Sequence, residues 1–381
     1  MSRTAIRLGF LPLTDCAPLA VAREMGFAAE EGVDLDLTRA PSWTMVRDRL
    51  AMGADDAAHM LAPVPVAMAL GLGPVGASLE VLSVLSVNGT VIGASRSLGA
   101  RLRDMGLVFG DVMGARAAIL GAGPLRIGVP FGFSMHRELV HRWLGSTEEI
   151  GLTTVPPPMM AEALARGEID AFCVGEPWGS VAVDEGVGEL ILPGAAIWGF
   201  APEKVLATRT GWADANPDAA RALVRALWRA GQWLADDGSR TTAVEILSRP
   251  DYLGRPAELI ERAMTGHLTI TPDGAGRHVP DFVNFYDGAT TFPWRSQAAW
   301  IGHRLAGRFG LDPKASADLA KATFRSDLHR VYLDGTGAAL PSASSRVEGA
   351  IAVPTAIPTS GGTLTLSPDA FFDGVSFDPD A

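Results

Sequence analysis

Over roughly the first two hundred residues, the hydrophobic positions switch back and forth between a period of two and a period near 3.6. Ala5–Pro12 (AIRLGFLP) predicts a strand, and Ala17–Glu31 a helix that ends near Gly32. Val33–Thr38 (VDLDLT) alternates apolar and acidic residues, the pattern of a half-buried strand. Trp43–Met52 predicts a helix with Ser42 as its N-cap, Ala57–Met60 a short strand, and Pro63 the opening of a further helix. Leu79–Asn88 predicts another strand. This βαβαβ order implies parallel strands, helices on both faces and ligands at the carboxyl ends of the strands.

The rhythm then restarts, with helices over Ala100–Met113, Ser134–Leu144 and Met159–Arg166 and strands over Arg126–Val129, Ile169–Val174 and Glu189–Leu192. Two similar α/β units in series predict two lobes with a cleft between them. Beyond Pro217 the pattern becomes long and helical, over Asp218–Asp236, Pro256–Thr265 and Ser296–Phe309, and predicts helices that pack back on the first lobe. Residues 1–90 are expected to form the first part of lobe 1, 91–199 lobe 2, and 200–339 the mostly helical return to lobe 1. Residues 340–381, rich in Ser, Pro, Gly and Ala, read as an extended wrapping segment.

With 381 residues, 48% hydrophobic and 20% charged, the chain can bury a large core, and a disordered chain is excluded. A net charge of −11 argues against nucleic acid or an anionic membrane as partner, since both need a basic face. Cys16 and Cys173 are the only two cysteines, too few for a disulfide framework or a zinc pattern. Met1–Cys16 superficially resembles a lipoprotein leader, but its apolar patch Leu8–Leu13 is short and interrupted by Pro12, and Asp15 stands where a small residue is needed. No export signal is predicted, and a cytoplasmic location is expected. Met60–Leu79 is free of charge over 20 residues, yet Pro63, Pro65 and Pro74 break it, so no membrane span is predicted.

The enzyme motifs fail on inspection. Gly121-Ala-Gly123 lacks the third glycine of a dinucleotide fingerprint, and Gly132-Phe-Ser134-Met-His136 ends in His where a nucleophile elbow needs Gly. The seven histidines make no metal-binding spacing, and Asp55-Asp56 reads as a solvated pair at a turn. Neither catalysis, a cofactor nor a metal is predicted. Polar residues do gather where strands end: Asn88-Gly-Thr90, His136 in the first turn of a helix, Gly175-Glu-Pro-Trp178, and Lys204 where the chain returns to lobe 1. Helix N-termini, a histidine and an ammonium suit a small oxyanion. Lysine is scarce, with three (204, 314, 321) among 32 basic residues, so Lys204 is not the default surface cation of this chain. Each residue also has an ordinary reading: His136 as a cap or packing residue, Lys204 as a solvated charge, Trp43 as core and Gly175 as a turn.

Taken in order, Leu8-Gly-Phe-Leu-Pro-Leu-Thr-Asp15, Pro41-Ser-Trp43 with Arg47-Asp48, Ala57-Ala-His-Met-Leu-Ala-Pro63, Ser134-Met-His136, Gly175-Glu-Pro-Trp178, Phe371-Phe-Asp-Gly374 and Phe377-Asp-Pro379 resemble the nitrate- and bicarbonate-binding proteins of ABC transporters. The resemblance covers nearly the whole chain. It implies a type II periplasmic-binding-protein fold, in which two lobes joined by two crossover strands close around a ligand. It also places a nitrate site on Trp43, Thr90, His136, Gly175 and Lys204. Thr90 departs from the family pattern, with a shorter hydroxyl where the family has a glutamine amide. Lys204 stands where the bicarbonate members carry an acidic residue beside a metal ion, which implies nitrate or nitrite bound unaided. Joined to the expected cytoplasmic location, the resemblance points to the nitrate/nitrite sensor of assimilation operons, the NasS type. The sensor's implied partner is an RNA-binding antiterminator response regulator of the NasT type. A solute-binding component of an anion transporter is the alternative. An enzyme akin to the iron-dependent thiamine-precursor synthases would need a Cys- or His-rich segment that this chain lacks.

Overall fold

The computed structural model describes residues 3–73, 76–145, 149–359 and 361–381. Its first sheet contains β1 (Thr4–Phe10), β2 (Val33–Arg39), β3 (Ala57–Leu61) and β4 (Leu79–Asn88). The second is built from β5 (Thr90–Ser95), β6 (Leu125–Val129), β7 (Ile150–Thr154), β8 (Ala171–Gly175) and β9 (Gly188–Pro193). β10 (Pro202–Arg209) then returns to the first sheet, whose order is β4-β10-β3-β1-β2 with Val283–Asn284 paired outside β4. The order in the second sheet is β7-β6-β8-β5-β9.

The sheets are mixed, which corrects the expectation of parallel strands. β1 runs parallel to β2 and β3, but β10 lies antiparallel between β3 and β4. In the same way β5 lies antiparallel between β8 and β9. Each lobe thus holds, within its own sheet, the strand that has just arrived from the other lobe. Neither β5 nor β10 is legible from periodicity, because almost every residue in both is buried and no alternation survives.

Glycines account for the other differences. The predicted helix over 17–31 is two helices, Ala17–Glu24 and Phe27–Glu30, separated at Gly26, whose φ of 81° no helix accommodates. The predicted helix over 100–113 is likewise Arg96–Asp104 and Val112–Gly121, with Gly106 and Gly110 left-handed between them. Asp55 is not solvated. It is fully buried and held bidentately by Arg49 at 2.7 and 2.9 Å, while Asp56 pairs with Arg7 at 2.8 Å. The C-terminal stretch contains a hairpin, Thr355–Thr359 with Gly362–Leu366, before it runs on to Phe371, which bridges Trp198. The apolar stretch after Met60 forms only the short helix Pro63–Ala69, Pro74 lies outside the described residues, and no described helix is long and apolar enough to cross a membrane.

Two crossings connect the lobes, at Asn88–Gly89 and at Gly199–Ala201. Asn88 and Gly89 both adopt left-handed backbone, with φ of 61° and 82°. Asparagine tolerates that region, and its carboxamide is used here. Nδ2 donates to the Gly199 carbonyl at 2.8 Å, and Oδ1 accepts from the Ala201 N–H at 3.2 Å. The Asn88 N–H itself donates to the Ala201 carbonyl at 3.0 Å. One side chain therefore ties the outgoing strand to the returning one. Asn88→Ala removes both carboxamide bonds and places a Cβ-bearing residue without local compensation at positive φ. The expected cost is about 2–4 kcal/mol, read as a lower denaturant midpoint in urea unfolding.

Candidate functional site

The loop after β1 carries Asp15 into the gap between the lobes, and β3 brings His59 beneath it. The helix Trp43–Ala51, capped by the Ser42 hydroxyl accepting from the Met45 N–H at 3.3 Å, starts with Trp43 against the same place. From the second lobe, Ser134 caps the helix Met135–Leu144 through the Arg137 N–H and fixes His136 in its first turn. Gly175 ends β8 and pairs with Thr90 at the start of β5. The returning strand β10 supplies Glu203 and Lys204.

Consecutive residues of a regular strand point to opposite faces, so Glu203 and Lys204 should not meet. They do, because the pairing of β10 with β4 slips on both sides of Lys204, between Pro202 and Lys204 and between Lys204 and Val205. Such an irregularity re-aims a side chain. Lys204 Nζ lies 2.6 Å from Glu203 Oε1 and 2.7 Å from Asp15 Oδ2. It also stands 5.4 Å from the centre of the Trp43 ring, whose π-face favours a cation. His59 Nε2 is 3.0 Å from Asp15 Oδ1, and His136 Nδ1 is 3.2 Å from Glu203 Oε1; neither contact has the alignment of a hydrogen bond. A Cβ on Gly175 would point at this cluster, 3.7 Å from His136 Nε2 and 3.8 Å from Asp15 Oδ2.

The structure brings Trp43, His136, Gly175 and Lys204 together from both lobes, whereas Thr90 is joined to them through its backbone pairing with Gly175 and turns its hydroxyl towards Gly194. Lys204 is not the solvated charge of its ordinary reading, for it is wholly buried. Three members of the cluster were not singled out from sequence. Asp15 and His59 lie within the motifs that carry the family resemblance, but nothing in their spacing shows that they meet. Glu203 gave no signal, because the slip that turns it inward is a property of strand pairing.

Every charged group here is buried, so each protonation state is set by its neighbours. Burial alone would raise the Asp15 carboxyl, but the Lys204 ammonium and the His59 contact outweigh it and hold it at about 2. Glu203 has Lys204 without a second donor, and burial prevails, pushing it up to about 7. Burial works against the Lys204 charge, yet the two carboxylates hold its pKa above the ordinary value. Burial, aided by Lys204, drives His136 well below the ordinary imidazole range, and burial also lowers His59 against the pull of Asp15. The site near neutral pH thus contains one ammonium, one firm carboxylate, one titrating carboxyl and two neutral imidazoles. Trp43 Nε1, His136 Nε2 and Thr90 Oγ1 are buried polar atoms with no hydrogen-bond partner among the described residues. Buried polar atoms left unmatched are costly, and Trp43 and His136 stand beside the buried Lys204 ammonium and its carboxylate partners.

Gly175 is packed closely here. A Cβ there would come within 2.8 Å of Leu13 Cδ2 and project towards His136. Gly175→Ala is expected to weaken oxyanion binding at least tenfold in calorimetric titration, with a stability cost of about 1–3 kcal/mol from overpacking.

Comparison with known proteins shows the family to which the chain belongs. The sequence pattern of the NMT1-like family matches residues 1–248. The nitrate import ATP-binding protein NrtC of Synechocystis is 33% identical over 337 residues, covering 86% of this chain. The chain spans only half the length of that relative. The nitrate/nitrite binding protein NrtA of Synechococcus elongatus is 30% identical over 400 residues, 98% of this chain and 84% of the relative. The crystal structure of the periplasmic nitrate-binding protein NrtA from Synechocystis superimposes with a TM-score of 0.85 at 27% identity, covering 99% of this chain and 96% of that one. The chain belongs to the NMT1-like family, in its nitrate- and bicarbonate-binding branch of solute-binding proteins with the type II periplasmic-binding-protein fold, and not to a family of enzymes.

Proposed function

We propose that the chain is the anion-binding component of an ABC-type importer and that its ligand is nitrate or nitrite. The observation that carries this reading is the buried Lys204 ammonium, set among unpartnered donors from both lobes. A planar monoanion beside Nζ offers acceptors to Trp43 and His136 and needs no metal to neutralise it. Lys204 is what favours a monoanion bound directly over a carbonate species held through a cation. The sensor role and its antiterminator partner rest on the sequence resemblance alone, whereas the relatives described above are import and binding proteins, so the importer reading stands first.

Binding works by closing the lobes. The loop after β1 already meets the second lobe, where the Thr14 N–H donates to the Glu176 carbonyl at 2.8 Å and Trp178 Nε1 donates to the Pro12 carbonyl at 2.9 Å. A ligand touching both lobes stabilises this arrangement by as much as it binds the closed form better than the open one. The test is a nitrate titration of thermal unfolding at constant ionic strength, with chloride as control anion. At 100 times its dissociation constant nitrate should add about 2.7 kcal/mol, a clear rise in midpoint. A flat response to nitrate and nitrite up to millimolar concentration would overturn the reading.

A further inference from the structure

A cavity of about 740 Å³, none of whose lining residues belongs to the Lys204 cluster, lies between the helix Met135–Leu144 of the second lobe and the helix Arg295–Phe309. The latter packs on the helix Pro63–Ala69, which follows β3 in the first lobe. Arg137, His141 and Arg142 line it from one side and His303, Arg304 and Arg308 from the other. On a chain with a net charge of −11, four guanidinium groups converge here, and one carboxylate, Asp373, lies in the described wall.

Two of the four arginines are already neutralised. Arg142 donates to Asp373 Oδ1 and to the Val375 carbonyl, each at 2.8 Å. Arg308 pairs with the buried Glu138 and also donates to the Gly132 carbonyl at 3.2 Å. Arg137 and Arg304 make no salt bridge among the described residues, and Arg304 Nε is buried without a hydrogen bond. Burial and the neighbouring guanidinium groups weaken the hold of both on their protons, and His141 is held at about 4 by burial and the same arginines. Glu138 acts on Arg137 and Arg304 as well as on Arg308, so four guanidinium groups face two carboxylates, Glu138 and Asp373, and a protein retains such an excess of half-buried charge where something else supplies the opposite sign. Paired guanidinium forks match the oxygens of a phosphoryl group. The cavity is of the size that small-molecule sites occupy.

We propose that this cavity is a second anion site, for a dianionic phosphoryl group carried by inorganic phosphate or by a phosphate monoester. Occupancy ties a helix of one lobe to a helix of the other. The helix Met135–Leu144 carries His136 in its first turn and Arg142 in its last, so the same rigid element serves both sites. Phosphate in the cavity therefore changes the affinity of the Lys204 site, and the ligand of that site changes the affinity for phosphate by the same factor. The coupling, but not the phosphate site itself, rests on the function proposed above.

The experiment is a thermal unfolding titration of the whole chain with inorganic phosphate and with glucose 6-phosphate at constant ionic strength, chloride serving as control. A saturable rise in midpoint with phosphate alone assigns the site to the free ion, and a rise with the monoester as well assigns it to the phosphoryl group from either source. Arg304→Gln and, separately, Arg137→Gln should abolish the rise, and Arg304→Gln should leave the nitrate titration without phosphate unchanged. No saturable rise with either compound, or a rise that survives both substitutions, overturns the site. A change of at least threefold in nitrate affinity at saturating phosphate is expected, and an unchanged affinity overturns the coupling while leaving the phosphate site in place.

Discussion

Lys204→Met is expected to abolish nitrate binding, with a loss of at least 100-fold in calorimetric titration, and to destabilise the fold at the same time. The two effects share a cause. Lys204 is the sole ammonium in a buried group that includes Asp15 and Glu203, at 2.7 and 2.6 Å. Removing one partner of a buried ion pair strands the other, which costs about 3–5 kcal/mol. Because a less stable protein binds less ligand, the single substitution cannot separate the two losses. The double variant Lys204→Met with Asp15→Asn can. It removes the stranded carboxylate along with the cation, so most of the urea-unfolding midpoint should return. Nitrate binding should not, because the charge that holds the anion is still missing. Recovery of binding in the double variant would show that Lys204 acts through the fold and not on the ligand.

Glu203→Gln should uncouple anion binding from pH. Glu203 titrates at about 7 in the folded protein, whereas burial lowers both His136 and His59 and the Lys204 ammonium keeps Asp15 ionised. An anion beside Lys204 disfavours a second negative charge at Glu203, so the carboxyl of the complex titrates higher still. Below about 7, Glu203 is protonated in both states and affinity is flat. Above it, binding must take up a proton, and affinity falls by up to tenfold per pH unit until the carboxyl of the complex also ionises. In Glu203→Gln the decline should vanish, leaving affinity level from pH 6 to 9. Stability follows the same group. Its folded pKa lies above the unfolded value of 4.5, so the native state holds a proton that the unfolded chain has released. The stability this contributes is complete below 4.5 and is lost as pH rises to about 7. Above pH 7 the Gln variant should therefore gain on the parent in thermal midpoint. A nitrate affinity that declines identically in parent and variant would remove Glu203 from the account.

The regular parts of this fold are legible in the sequence because their periodicity is plain. The edge strand β2, with exposed acidic residues at every second position, and the long helix Pro217–Leu234 lie within two residues of where the pattern puts them. The strands that define the topology are not legible. β5 and β10 are buried on both faces, and their antiparallel insertion depends on which strand the chain returns to, information that no local window holds. The site divides in the same way. Trp43, Thr90, His136, Gly175 and Lys204 are pointed to by the family resemblance, whereas Glu203 enters through a slipped register, and Asp55 is buried because Arg49 reaches it from the neighbouring helix. Residues that act through pairing across the chain leave no trace in spacing.

The carboxamide of Asn88 joins the two crossings, and this has a bearing on selectivity. Two independent straps would let the lobes shear and skew as well as swing, and each contact to a ligand could then be optimised separately. Fastened together, they act as one axle, and the lobes approach along a single arc. Every donor on the far lobe reaches its place at the same angle. An anion slightly too large stops the arc early, and leverage carries that small error into the interlobe contacts between the Pro12–Thr14 loop and Glu176–Trp178. If the chain binds an oxyanion as proposed, a chain with a loosened axle is expected to accept bulkier oxyanions before it ceases to bind small ones.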